Sequence, residues 1–566
     1  MKRSGRLATA LLVLAALACN TFYNFTNIPG PAGNATATVN SPTPVVGAMA
    51  TATPSGVSQP AATPDGRASP VGPPTEAAPT ATPAVAPSAT PAAAPSATPA
   101  ALPFTLDQAA AAQTAMLPQY AGDVGTLPDA TRYVIDVAVT FDGARSATLT
   151  GRELIRYTNR ETMSLDSLYL MLWPNYRDQY LGGLTLGTVS VGGSVVQPVL
   201  EDQDLAARIP LGAPLRLGAR LDLQVDFTDQ ADAGVEQGAR FGLTHGVLLA
   251  PTFYPIIPRI VNGQWQTLRP APAGDTTNSD SSFYAWRVTA PADMAIAASG
   301  KVVTAPNAGS QTGGTQSETL LTGPMRDIAL VVGHLQLAQR MLPDGVLLNA
   351  WVLPEHALLS KDLLDEGAGQ VANLDNLVGP YPFADLNIVD TPGAYGGVEY
   401  PGLVFIGVVN THGGFEPATV HEVGHQWFYS VVGDDQLLQP WLDEAAASYT
   451  EVLYAEHAHG ADAAARYLAF FQDEVNRSGD PNLPIGLPVA SYPTASEYAA
   501  IVYAKGALFF AALRQKLSDP VFFAFLHDYY QRYKYGFAAS AGFEATAEAT
   551  CKCDLQPMFN QWVGGN

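Results

Sequence analysis

Cysteine is almost absent: the 566 residues contain three, Cys19, Cys551 and Cys553. A disulfide scaffold is excluded, as is an all-thiolate zinc module, which needs four close ligands, so stability must come from ordinary burial. Positive charge is scarce too, with 29 Lys and Arg against 51 Asp and Glu and a net charge of −22. So acidic a chain works against any partner held through phosphates, which removes nucleic-acid binding. The apolar run from Leu7 to Ala18 falls short of the about 20 residues that a membrane-spanning helix needs. Aromatic residues are missing between Asn27 and Phe104, where Ala, Pro, Thr, Ser and Gly dominate. Such a stretch cannot bury enough apolar area to offset its ordering entropy, and it reads as a disordered, partly stiff spacer. Ala-Thr-Pro recurs there at Ala81, Ala89 and Ala97, which marks low complexity rather than a folded repeat.

What is present begins with an address. Met1-Lys2-Arg3 and Arg6 precede the apolar run, and Ala18 offers a cleavage point, the pattern of a secretory signal peptide. Ala16-Leu17-Ala18-Cys19 resembles a bacterial lipobox, whose cysteine carries lipid, so the protein is expected outside the cytoplasm. There a lipid anchor on Cys19 would provide membrane contact. The expected organisation is a signal segment over 1–19, a spacer over 20–128, an all-β domain over 129–322 and a second domain over 323–566. Alternation in Tyr133–Val139 and Leu165–Leu172, with turn residues between such runs, supports the β assignment. Beyond residue 322, Ala-rich segments with helical period alternate with short apolar strands, so the second domain is α+β.

The chemistry concentrates in His421-Glu422-Val423-Gly424-His425. On a helix, positions i and i+4 share a face, so both imidazoles can reach one cation while Glu422 addresses its open side. Pro417 suits the first turn of such a helix and Gly433 its stop. A catalytic zinc keeps three protein ligands plus water. Glu444 is the candidate third ligand: it opens a second apolar-periodic helix after an eighteen-residue gap. Other divalent metals also accept two imidazoles and a carboxylate. His457 and His459 have no carboxylate at ligand spacing and read as a solvated helix end. Cys551 and Cys553 read as incidental or as a strained local disulfide rather than as ligands.

These residues resemble the aminopeptidase N family of gluzincin metallopeptidases, which pairs the five-residue motif with a glutamate after eighteen residues. Gly396-Gly397-Val398-Glu399-Tyr400 resembles the family's Gly-x-Met-Glu-Asn strand, and Val502-Tyr503-Ala504-Lys505-Gly506 its Tyr-Glu-Lys-Gly segment. Gly379–Phe383 and Phe559–Val563 look like its framing segments. The resemblance implies an N-terminal all-β domain followed by a thermolysin-like catalytic domain, in a short form without the large C-terminal helical domain. It implies one zinc ion held by His421, His425 and Glu444. Glu422 would serve as general base and Tyr503 as donor to the tetrahedral intermediate. Glu399 would take the substrate's α-amine, on a strand whose Gly396 and Gly397 line the substrate. The activity implied is removal of N-terminal residues from peptides outside the cell. Tyr400 departs from the family's Asn. The β domain's second amine anchor, a Gln or Glu ahead of a pair matched to Tyr254-Pro255, has no counterpart between Phe241 and Arg259. A thermolysin-like endopeptidase and a catalytically inactive peptide-binding surface module remain the alternatives.

Overall fold

The computed structural model describes residues 105–106, 109–234, 240–304, 314–392, 396–408 and 416–564. The signal segment, Cys19 and the spacer up to residue 104 lie outside them. Within them the architecture is α+β, a β-rich region followed by a helix-rich one, as expected. Period-two alternation makes the first region: Tyr133, Ile135, Val137 and Val139 of Arg132–Phe141 are all buried. That strand pairs antiparallel with Ser146–Thr158 and parallel with Phe283–Pro291 inside an eight-stranded sheet. Arg220–Asp232 extends the sheet on one side and Thr315–Leu321 on the other.

Two expected boundaries move. Ala329–Gly333 pairs with Val247–Pro251 and Ala295–Ala298 in a four-stranded sheet, so the β region runs to residue 333 rather than 322. Five consecutive apolar residues say that a strand is buried without saying which sheet buries it. The spacer also ends before residue 128. Ala109–Ala115 and Pro118–Thr126 form 3-10 turns; Met116 bridges to Phe383, and Asp123 takes an ion pair from Lys534 at 2.5 Å. Met116, Leu117 and Val124 are buried there, apolar anchors that the composition of the preceding stretch lacks.

The second region holds a five-stranded sheet in the order Gln336–Met341, Leu347–Val352, Asp385–Asp390, Leu403–Ile406, Gly397–Val398. Its central pairs are parallel and Gly397–Val398 forms one edge. Helices α1 (Ser360–Leu377), α2 (Glu416–Gly424), α3 (Glu444–His459) and α4 (Ala461–Arg477) follow. Helix α3 is buried continuously from Glu444 to Ala455, its polar members Glu444, Ser448, Thr450 and Glu451 included. The Asp443 carboxylate accepts from Glu444 N at 2.8 Å at its start, and Gly460, at φ 87°, stops it. Tyr503 lies on a π-helical turn, Ala499–Lys505, a local widening that often accompanies functional sites. Gly506, just after it, lets the backbone approach α3: a Cβ there would sit 2.3 Å from Ala445 Cβ. Phe559 packs in an aromatic cluster with Phe509, Phe543 and Trp441, which supports the entry to α3. Cys551 and Cys553 form a disulfide.

Candidate active site

Three helices are locked together beneath the site. Gln370 of α1 donates to Val420 O at 3.0 Å and to Thr450 Oγ1 at 2.9 Å, tying α2 to α3. Gly424 permits the close crossing, since a Cβ there would meet Thr450 Oγ1 at 2.5 Å. Helix α2 begins with Pro417 in its first turn, as expected, but ends at Gly424, well short of Gly433. Residues 430–432 instead bond back to the carbonyls of 425–427, the five-residue step of a widened turn. Gly433 has another reason: a Cβ on it would lie 2.0 Å from the Arg326 guanidinium carbon.

His421, His425 and Glu444 converge. Glu444 Oε2 lies 3.3 Å from each histidine Nε2, and the two Nε2 atoms lie 3.1 Å apart. Ligands about 2.0–2.1 Å from a tetrahedral zinc have neighbouring donor atoms about 3.3 Å apart, so this triangle fits the ion. The rings are also oriented from behind. His421 Nδ1 meets Glu451 Oε1 at 2.9 Å, and His425 Nδ1 meets Phe428 O at 3.0 Å. An acceptor at each Nδ1 keeps its proton there and turns the Nε2 lone pair inward, as metal-binding histidines require. All three side chains are buried. Burial works against the charged imidazoles, but Glu444, joined by Glu451 at His421, outweighs it, holding His421 well above its usual range and His425 up to about 10. Burial likewise opposes charge on Glu444, yet the two histidines hold its carboxylate well below the usual range. To hold a metal both rings would have to be neutral at Nε2, while Glu444 would serve as a ligand already ionised.

Glu422 faces the same space, and a carboxylate oxygen of Glu399 and of Glu422 lies within 4.8 Å of a His425 nitrogen. Burial pushes Glu422 up to about 8, with Glu399 and Glu444 adding and the histidines opposing. Glu399 leaves the sheet edge just after Gly397–Val398 and accepts from Gln436 Nε2 at 3.0 Å. Gln436 also donates to Asp443 Oδ2 at 2.9 Å, and Gln426 pins the strand end through Tyr400 O and Gly402 N. Tyr503 stacks on the His421 ring, its hydroxyl donating to Glu444 Oε1 at 2.5 Å. Gly396 accepts from Gly407 N, while Gly397 lies against Glu422. His459 pairs with Glu416, away from the triangle.

Sequence reasoning missed four contributors. Glu451 stands seven residues after Glu444, two helical turns on, a spacing that could have flagged it. Gln426 adjoins His425. Gln436 had no local signal. Asp275, from the β region, is buried, ion-paired with Arg240 and close enough to Glu444 for the two carboxyls to interact. Burial raises its carboxyl well above the usual range, against the pull of Arg240. It brings a β-region acid to the site where the sequence offered none between Phe241 and Arg259.

The chain resembles known proteins in part of its sequence and in fold. Residues 409–562 match the sequence model described as the peptidase family M1 domain. Human glutamyl aminopeptidase is 26% identical over 148 residues, which make up 25% of this chain and 15% of that protein's length. The M1 zinc metallopeptidase of Deinococcus radiodurans superposes with a TM-score of 0.59 at 21% identity, covering 77% of this chain and 94% of that one. A variant of that enzyme bound to a Tyr-Ser-Ala substrate gives a TM-score of 0.57 at 22% identity, with the same coverage. These likenesses show a shared fold.

Proposed function

We propose that this chain, which carries a peptidase family M1 domain, is a zinc metalloaminopeptidase that removes N-terminal residues from peptides outside the cell. The observation that carries the reading is the triangle of His421 Nε2, His425 Nε2 and Glu444 Oε2 with two further buried carboxylates, Glu422 and Glu399, beside it. Zinc held by that triangle supplies Lewis acidity, polarising a carbonyl and lowering the pKa of water toward about 7. Glu422 takes a proton from the attacking water and delivers it to the leaving amine nitrogen. A carboxyl tuned near neutrality can both accept and release a proton there. Tyr503 donates its hydroxyl hydrogen bond to the developing oxyanion, a contact that strengthens as charge grows. Glu399 pairs with the protonated α-amine, and that pairing sets which peptide bond reaches Glu422. The substrate backbone lies along the sheet edge at Gly396 and Gly397, beside Glu399 and Glu422.

Secretion and a lipid anchor on Cys19 belong to the same proposal, supported by the N-terminal sequence alone. The test presents free and N-acetylated peptides of several lengths and identifies the first bond cut by mass. The proposal expects stepwise loss of single N-terminal residues, abolished by acetylation, by chelation and in Glu422→Gln with zinc still bound. Equal cleavage of acetylated peptides at internal bonds would make the enzyme an endopeptidase. Turnover that survives Glu422→Gln would remove the mechanism.

A further inference from the structure

Tyr429 has a backbone φ of 127°, far from the range of 46° to 70° in which the other described non-glycine residues with positive φ lie. An L side chain tolerates that region poorly, and it persists only where the surroundings over-determine it. Here three anchors do so. The Tyr429 hydroxyl donates to Asp327 Oδ2, the Tyr429 carbonyl accepts from Arg326 Nε at 2.7 Å, and Tyr429 N donates to Val432 O at 2.8 Å. Arg326 and Asp327 are neighbours in the β region, just ahead of Ala329–Gly333.

Their grip is itself well braced. Arg326 is buried, lies 4.2 Å over the Phe537 ring, and donates to Ser279 O at 3.4 Å and to Gly536 O. The missing side chain of Gly433 makes room for its guanidinium. The peptide that precedes Tyr429 is the one whose carbonyl, on Phe428, meets His425 Nδ1 at 3.0 Å. Because a peptide unit is planar, the torsion held at Tyr429 sets where that carbonyl points.

We propose that Tyr429, gripped by Arg326 and Asp327, is a positioning residue of the metal centre: its forced backbone aims the Phe428 carbonyl at His425 Nδ1 and keeps His425 Nε2 turned toward His421 and Glu444. The inference rests on the reading of those three residues as metal ligands. It makes the metal site a reporter of how the β region holds the helical one, through a residue that touches neither metal nor substrate.

The test measures zinc affinity by chelator competition, and the visible spectrum of the Co2+-loaded protein, in the full chain and two variants. Glycine adopts a φ near 127° without side-chain strain and alanine does not. Tyr429→Ala should therefore weaken zinc binding about 10- to 100-fold, the usual effect of losing an outer-shell partner. Tyr429→Gly should bind within about threefold of wild type, with an unshifted Co2+ spectrum. A residue that acts only by packing gives the reverse order, since glycine removes more and loosens the chain further. Wild-type affinity in the alanine variant, or a glycine variant as weak as alanine, overturns the inference. If the alanine variant does not fold, Tyr429→Phe replaces it: removing the hydroxyl held by Asp327 should weaken zinc binding, and unchanged affinity overturns the inference. A wild-type chain that binds no zinc removes the metal-centre reading as well, whereas a wild type that binds with its variants out of this order removes only this inference.

Discussion

The carboxylate of Glu422 occupies the space that a side chain on Gly397 would need: a Cβ there would sit 2.2 Å from Glu422 Oε1 and 2.3 Å from its Cγ. The sheet edge and Glu422 are thus fitted to each other at a single residue. Gly397→Ala should push Glu422 off its position while leaving the ligand triangle intact. Turnover is expected to fall about 10²- to 10⁴-fold, the range for losing a positioned general base. Steady-state kinetics with parallel metal analysis checks this. Unchanged kcat in the alanine variant would contradict it.

Glu451 holds His421 from the side away from the triangle. Glu451→Ala leaves His421 Nδ1 without its carboxylate, and zinc affinity should drop about 10- to 100-fold. Glu451→Gln keeps an acceptor oxygen and should lose less. Chelator-competition titration of the two variants reads the difference, and equal affinities for both variants and wild type would assign Glu451 no part in the centre.

Glu399 should discriminate by the amine. A charge-assisted hydrogen bond is worth about 1.5–3 kcal/mol, so Glu399→Ala is expected to lower kcat/KM for free-amine peptides about 10- to 100-fold. Any residual cleavage of acetylated peptides should stay where it was. A proportional loss on both substrate classes would show that Glu399 shapes the cleft rather than reading the terminus.

Stability should depend on pH in one direction. Burial raises Asp385 to about 6, Asp327, Glu318 and Asp375 to about 7, and Glu366 and Glu422 to about 8. Each binds its proton more tightly folded than unfolded. Its contribution is therefore complete below the unfolded value of about 4 and disappears as pH rises through 6 to 8. His425, raised to about 10 by Glu444 against its burial, acts in the same sense at higher pH. The Tm of the metal-free protein is expected to fall from pH 5 to pH 8.5. In Glu366→Gln, whose amide does not ionise, the decline near pH 8 should be shallower. A Tm that rises over this interval would reverse the assignment.

Local spacing was enough to single out the candidate metal ligands. His421 and His425 are one helical turn apart, and although α2 ends at Gly424, His425 N still donates to His421 O at 3.2 Å, which keeps the shared face; Glu444 could be named because it opens the next apolar-periodic helix. The alternation of the β region was legible for the same reason, since burial on one face of a strand imposes a period of two. The widened turn after Gly424 was not legible: it is held by Arg326 and Asp327, about a hundred residues upstream, which no window around Tyr429 contains. Nor was the sheet that claims Ala329–Gly333, because an unbroken apolar strand fits either neighbour.

What the sequence determined by itself is the set of groups that local periodicity places together: the two imidazoles, the Glu422 carboxylate between them, and the strand and helices that carry Glu399 and Glu444. Only the tertiary structure decided which distant groups complete the site: Glu451 behind His421, Asp275 against Glu444, Gln426 and Gln436 fixing the strand, and Tyr429 behind His425. The physical reason is that period and spacing act along the chain, whereas hydrogen bonds in a buried centre are satisfied by whatever group packing brings within about 3 Å, regardless of its distance in sequence.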